Sequence, residues 1–386
     1  MKHVGIICEY NPFHTGHARL LKAVRGANTV VCLMSGNFTQ RGEAAILPPV
    51  SRAAMALACG ADLVLQLPFP FSASSARYFA TAGVRALGGL GIDTLAFGSE
   101  CGDIEVLSAL AARAPEGDYR KKAPYVMQNT GDAAAYFAAL GENVSSNDIL
   151  AVEYLRAMTR EAPYMVPFAV SRKGAEYRQT VLRNEEHPSA TALREALRVG
   201  ESVEAYIPLE AQEIFREAAE RYGIADTARL GSALLAVLRA NGTGNPDEIA
   251  ECGGGLHRRL QKAAWSAGDY GALCKAVATK RYTDGRIRRA LLYLLAGVKK
   301  EDLVAHPVYL RLLAANARGR EFLNETMKRR TVHVVTKQAD IAGLGACAAR
   351  QRELSLRADG LYALCFADTV TPHALQTAKP YLYKYK

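Results

Sequence analysis

The stretch HVGIICEYNPFHTGHARLLKA, residues 3–23, decides the fold. It begins with a short apolar run, HVGIIC, that lacks in-out alternation, as expected for a strand buried on both faces of a parallel sheet. Asn11-Pro12 then favours a turn, and Leu20, Leu21 and Val24 recur at helical spacing. The same strand-then-helix unit repeats downstream. Strands are predicted over 3–8, 29–35, 61–67, 92–97 and 164–171, and helices over 16–26, 49–59, 72–88, 104–113 and 147–160. This alternation predicts an α/β domain with a Rossmann-like, doubly wound parallel sheet over residues 1–200.

Beyond residue 190 the pattern turns helical, with segments predicted at 190–199, 208–221, 227–240, 255–267, 270–279, 283–296 and 308–315. Residues 201–330 therefore read as a mostly helical region. Residues 331–386 read as a small mixed segment, with VHVVT and LYALCF as short strands around a helix.

A chain of 386 residues can form two or three cores, and 49% hydrophobic with 22% charged residues is ordinary for a globular protein. No apolar run approaches the ~18 residues of a membrane helix. The first strand starts at His3, which leaves no room for a signal peptide and predicts a cytoplasmic protein. The eight cysteines are scattered without a C-x-x-C pair, which argues against a structural zinc site or a disulfide framework and for core thiols. The net charge of +10 is uneven: residues 201–253 carry −6, residues 254–300 carry +9 and residues 301–386 carry +5. A local basic surface of this kind suits a polyanion such as RNA.

In open parallel sheets ligands bind beyond the C-terminal strand ends, where EYNPFHTGH falls. Thr15 could cap the following helix, placing His14 just before it and His17 in its first turn. There the helix dipole and unpaired N–H groups attract an anion. Gly16 would let a flat ring approach the backbone. Alternatively both histidines are ordinary surface or capping residues. A metal is disfavoured, because zinc-binding helices space their histidines i, i+4 with a glutamate between them.

H-T-G-H resembles the H-x-G-H motif of the nucleotidyltransferase superfamily. E-Y-N-P-F-H-x-G-H, followed by M-S-G-N-F-x-Q-R-G-E and F-G-S-E, resembles the tRNA(Met) cytidine acetate ligase family more specifically. That resemblance implies a nucleotidyltransferase fold in which His14 and His17 hold ATP phosphates and stabilise charge at the α-phosphorus. It implies an ATP cradle running through Ile7, Cys8, Glu9, Tyr10, Asn11, Pro12, Phe13, His14, Thr15, Gly16, His17 and Leu20.

Further segments carry two readings each. Arg41, in LMSGNFTQRGE (33–43), is either a substrate contact or a solvated loop residue. Gly98 ends a strand and is either a turn glycine or, as the resemblance implies, an ATP contact. Ser146 or Asn147 caps a helix, and the resemblance assigns Asn147 to ATP. Arg172 and Lys173 follow the last strand, where a guanidinium suits phosphate, and the resemblance maps Arg172 onto an ATP-binding arginine. In S-A-T-A-L-R, Ser189 or Thr191 would cap a helix with Arg194 one turn in, suited to the departing pyrophosphate. This segment resembles the superfamily's I-S-S-T-x-x-R element, with Ala190 in place of one serine. Arg258, Arg259, Lys280, Arg281, Arg286, Arg288 and Arg289 supply the basic residues of a helical region read either as a solvated face or as an RNA contact, with Tyr282 stacking or packing.

The residues alone thus reach an α/β domain that binds a nucleoside triphosphate, joined to basic helices suited to RNA. The resemblance implies an ATP-dependent ligase that makes acetyl-adenylate and transfers the acetyl group to the wobble cytidine of elongator methionine tRNA, forming N4-acetylcytidine. Its substrates would be ATP, acetate and tRNA, with Mg2+ accompanying ATP and no dedicated carboxylate cage for a metal. The alternatives are a small-molecule adenylyltransferase and an ATP-responsive RNA-binding protein without turnover.

Overall fold

The computed structural model describes residues 1–114, 137, 144–171, 189–240, 248–279, 281–368 and 370–382. Its centre is an eight-stranded sheet. The first five strands, β1 (His3–Cys8), β2 (Thr29–Ser35), β3 (Leu63–Leu67), β4 (Thr94–Ser99) and β5 (Val166–Ser171), are mutually parallel in the order β5-β4-β1-β2-β3. β1 pairs with β2 from His3↔Thr29 to Cys8↔Met34 and with β4 at Val4↔Thr94. The chain winds to one side through β2 and β3 and to the other through β4 and β5, so β1 and β4 flank the topological switch point.

Side chains leave the strands alternately into two cores. On one face Val31, Leu33, Leu63 and Leu65 pack against α3 (Ala76–Leu90), α4 (Ile104–Arg113) and α5 (Ser146–Glu161). On the other, Val4, Ile6, Cys32 and Met34 pack against α1 (Thr15–Ala23), α2 (Pro49–Ala58), α6 (Ala190–Arg198) and α7 (Leu209–Tyr222). Burial on both faces explains why the strand sequences do not alternate.

The sheet then gains strands that the helical reading of 308–315 did not foresee. VYLRLLAA has apolar spacing that fits either period, and the open edge of β3 decides for a strand. β6 (Tyr309–Ala315) pairs with β3 in antiparallel fashion, Leu63↔Ala315 to Gln66↔Arg311. β7 (His333–Val335) and β8 (Tyr381–Leu382) share the outer edge of β6. The first of these is the VHVVT strand. LYALCF, expected as a strand, instead begins in the last turn of the helix Ala346–Ala363, whose Leu354, Ala358 and Tyr362 are buried. The sheet is thus completed by residues from the far end of the chain.

The intervening helices are α8 (Gly231–Arg239), α9 (Leu256–Ala264), α10 (Tyr270–Val277), α11 (Asp284–Ala296) and α12 (Lys300–Val304). They are followed by α13 (Ala317–Thr326), α14 (Ala346–Ala363) and α15 (Pro372–Thr377). α8–α11 and α14 form a third core joined by Phe38, Ala44, Phe69 and Ala73 from the loops that leave β2 and β3. This seats the helical region over the C-terminal ends of the strands, where ligands of such sheets bind.

All eight cysteines carry free thiols; Cys8, Cys32, Cys252 and Cys365 are buried, whereas Cys101 and Cys347 are exposed rather than in the core. Among the described residues no helix is long and apolar enough to cross a membrane.

Candidate active site

The loop after β1 turns sharply. Tyr10 adopts φ 51°, a conformation rare for a bulky residue, and its ring packs edge-on against Phe13 at 4.8 Å and His17 at 5.0 Å. The helix α1 is capped by His14, not by Thr15. The Gly16 N–H donates to His14 Nδ1 at 3.0 Å, and the His14 N–H donates to His17 Nδ1 at 3.3 Å. The two imidazoles thus form a capping box, a role usually filled by a hydroxyl and a carboxylate. Accepting at Nδ1 places the proton of each neutral ring on Nε2, so both rings present an N–H donor there. Their centroids lie 3.9 Å apart. Capping and anion binding are therefore compatible: the backbone fixes the tautomer that suits a phosphate oxygen.

Around this pair the structure assembles much of the predicted set. Asn11 Oδ1 accepts from the Ile46 N–H at 2.8 Å, which pins the loop. Ser189 caps α6, accepting from the Ala192 N–H at 3.1 Å, and Thr191 is the second residue of that helix. Arg194 is buried and donates to the Asn11 carbonyl at 2.9 Å and to Thr191 Oγ1 at 3.1 Å. Arg194, one turn into α6, thus ties that helix to the loop that leads into α1.

The remaining predicted residues divide. Gly98 is the penultimate residue of β4, paired with Val170 of β5. The cap of α5 is Ser145, which accepts from the Asp148 N–H, and Asn147 is tied to Glu100 Oε1 at 2.5 Å. Ile7, Cys8, Pro12 and Phe13 are buried, and Leu20 is partly buried on α1. Burial pushes the Cys8 thiol far up, which makes it a packing residue. Glu9 accepts from the Gln40 N–H at 2.6 Å, and burial raises its carboxyl against the pull of that N–H, Arg194 and Arg41. Arg172, Lys173 and Lys280 lie outside the described residues.

Two residues went unread in the sequence. Arg52 is fully buried in α2 and donates to Leu47 O at 2.9 Å, Glu9 O at 2.5 Å and Ser35 O at 3.2 Å, and to Gly36 O. It ties the ends of β1 and β2 together; a lone arginine in the apolar run SRAAMALA was its signal. Glu43 accepts ion pairs from Arg194 at 3.3 Å and from Arg288. Burial pushes its carboxyl up, but Arg194, Arg288, Arg198 and Arg41 together hold it below the usual range.

The expected charged face of α11 is not what the structure shows. Arg286 and Arg289 are buried and both pair with Glu251, at 3.6 and 3.1 Å, while Arg288 pairs with Glu43. Gly42, at φ 75°, lies so close that a Cβ would sit 2.8 Å from the Arg289 nitrogen. Arg288 ties α11 to the loop after β2 through Glu43, while Arg286 and Arg289 tie it to the segment before α9 through Glu251. Tyr282 is buried beneath Arg286, whose guanidinium carbon lies 5.2 Å from its ring centroid, and so packs rather than stacks outward. Arg258, Arg259 and Arg281 are all exposed, and Arg259 donates to Val277 O at the end of α10 at 2.9 Å.

Comparison with known proteins gives the family. The HIGH Nucleotidyl Transferase family matches residues 1–377. The chain is 37% identical to the tRNA(Met) cytidine acetate ligase of Syntrophotalea carbinolica over 364 residues, covering 88% of this chain and 86% of that one. It is 32% identical to that of Acetivibrio thermocellus over 398 residues, 95% of both. Thermotoga maritima TmcAL superposes with a TM-score of 0.88 at 29% identity over 99% of each chain. The same protein bound with alpha-thio ATP gives 0.86 at 28% identity, covering 99% of this chain and 100% of that one. The chain belongs to the tRNA(Met) cytidine acetate ligases, a family of HIGH nucleotidyl transferases.

Proposed function

We propose that this protein activates acetate with ATP and transfers the acetyl group to the wobble cytidine of elongator methionine tRNA in the cytoplasm. The single observation that carries this reading is the His14–His17 capping box at the N-terminus of α1 after β1, with Arg194 of α6 bonded to the loop that enters it. Such an arrangement is built for a polyphosphate.

In the first step an acetate oxygen attacks the α-phosphorus and the bond to the β-phosphate oxygen breaks, releasing pyrophosphate. The Nε2–H groups of His14 and His17 stabilise the phosphoryl oxygens, and the α6 N-terminus with Ser189, Thr191 and Arg194 holds the departing phosphates. Gly98, Asn147, Arg172 and Lys173 complete the ATP cradle. In the second step the cytidine N4 lone pair attacks the acetyl carbon, the bond to the AMP oxygen breaks, and the N4 proton passes to AMP or solvent. An acyl-phosphate anhydride is already activated, so positioning carries most of this step. Among the described residues no three His, Cys, Asp or Glu side chains converge on a cation. Mg2+ would accompany the ATP phosphates. RNA contacts are assigned to the +9 region through exposed Arg258 and Arg281.

Incubation with ATP, labelled acetate and bulk tRNA, followed by digestion to nucleosides, tests the whole reading. Label in N4-acetylcytidine is expected. Acetate-dependent pyrophosphate exchange without label in RNA would reject the transfer step. Exchange that requires a phosphorylated metabolite instead of acetate would favour a small-molecule adenylyltransferase.

A further inference from the structure

The chain has a single tryptophan, and the fold leaves it outside the cores. Trp265 is 71% exposed, although tryptophan is on average a well-buried residue type. It follows the last residue of α9 and keeps helical backbone, φ −73° and ψ −24°. Arg239 holds that backbone, donating to the carbonyls of Ala264 at 2.9 Å and Ala267 at 2.8 Å. The ring thus stands on a fixed support with most of its surface in solvent.

Its companions on α9 set the chemistry. At 3.6 residues per turn, Arg258, Lys262 and Trp265 fall within about 60° of one another, and all three are exposed. Leu256, Leu260, Ala263 and Ala264, all buried, take the opposite side. Arg281 extends the stripe toward the start of the helix: a Cβ on Gly254 would lie 3.1 Å from its Nη2. Among the described residues Arg258, Lys262 and Arg281 enter no ion pair, unlike the arginines of α11, whose charges Glu43 and Glu251 absorb. The one acid between residues 254 and 280, Asp269, caps α10 by accepting from the Ala272 N–H at 2.7 Å. Positive charge beside a flat, exposed ring complements an RNA strand, whose phosphates attract cations and whose unpaired bases seek a stacking surface. An anionic membrane fits less well, because this face offers one apolar side chain and no patch to sink among acyl chains.

We infer that Trp265 stacks on an unpaired base of the RNA, with Arg258, Lys262 and Arg281 on the flanking phosphates. The inference rests on the proposed action on tRNA and deepens it. The strand is gripped at a loop or an end, because bases inside a duplex hide their faces in the stack. Stacking is tolerant of which base is presented, so α9 holds the strand without reading its sequence.

Because the chain has no other tryptophan, tryptophan emission reports Trp265 alone. Titration of the full chain with a short oligocytidylate should give saturable quenching, and a blunt RNA duplex of the same length should not. Trp265→Leu should weaken oligocytidylate binding by about tenfold, read by anisotropy of a labelled strand, and Trp265→Phe, which keeps a ring, by less. Both variants should keep the parent's urea midpoint, since the side chain is exposed. Arg258→Gln with Lys262→Gln should lower the slope of log K against log salt by about 1.4, at about 0.7 per phosphate contact. Equal quenching by strand and duplex, or parent affinity in Trp265→Leu, would overturn the stacking role. Quenching that tracks protein concentration without RNA would make the face a contact between copies. A blue shift on phosphatidylserine vesicles with no response to RNA would make it a membrane contact; either result overturns the inference. If tRNA is acetylated while Trp265 stays silent, the inference fails alone. If Trp265 responds as expected and no tRNA is acetylated, the proposed activity fails and the RNA-binding face stands.

Discussion

Replacing Arg52 with methionine should uncouple the nucleotide loop from the sheet. The guanidinium donates to the carbonyls of Leu47, Glu9, Ser35 and Gly36 from a fully buried position. Methionine fills much of the same space but donates nothing. Each buried acceptor stripped of its donor costs about 1–3 kcal/mol. Taking the low end, because a carbonyl has a second lone pair, gives a loss of about 4 kcal/mol. Removing a buried charge recovers part of its desolvation cost, which already pulls the Arg52 pKa down, so the expected net destabilisation is about 2–4 kcal/mol. Urea unfolding of Arg52→Met would read this as a lower midpoint at unchanged slope. Equilibrium dialysis at low urea should show weaker ATP binding in the fraction that is folded. Arg52→Lys, with three donors on a single atom, should fall between the two. A midpoint within about 0.5 kcal/mol of the parent, or unaltered ATP affinity, would refute the idea that Arg52 positions the loop.

Removing the His17 side chain deletes one Nε2–H donor and half of the capping box. His17→Ala should slow acetate-dependent pyrophosphate exchange by about 100-fold while costing only about 1 kcal/mol of stability; comparable losses in both would refute a role at the α-phosphorus. Glu43→Gln removes the charge between Arg194 and Arg288, and urea unfolding should show a loss of about 2 kcal/mol, absent if the pairs are idle. Asp359 gives a pH dependence. Burial, opposed by Arg311 and by the side chains of Asn37 and Gln376, raises its folded pKa to about 7 from an ordinary 3.8. Between those values the folded state keeps the proton that the unfolded state has lost, so this group's contribution to stability falls as pH rises from about 4 to about 7. Asp359→Asn should flatten that decline, and identical pH profiles of the melting temperature would count against it.

Much of the fold was legible because two periodicities are written locally. The spans of β1 and β2, the capped helices α4 and α6, and the change to helix after residue 190 follow from apolar spacing and turn residues alone. The segment 308–315 was misread because an eight-residue apolar run suits either period, and the β3 edge that settles it lies 240 residues away in sequence. At the site, the H-x-G-H stretch signalled an anion at a helix start. That the cap is His14 itself, with His17 completing the box, depends on ring orientation, which no spacing encodes.

What the sequence by itself determined is the β-turn-α unit at residues 3–23, the α/β class and the placing of two histidines at a helix N-terminus. These rest on backbone preferences and hydrophobic pattern within a few residues. Only the tertiary structure decided which charges are available. Arg286, Arg288 and Arg289 look in sequence like a basic face, yet Glu43 and Glu251 consume them. Arg52 and Arg194 converge on one loop from helices 43 and 183 residues distant in sequence. The physical reason is that a charge takes its role from whatever acceptors and burial the fold brings within hydrogen-bonding distance, and those partners are non-local.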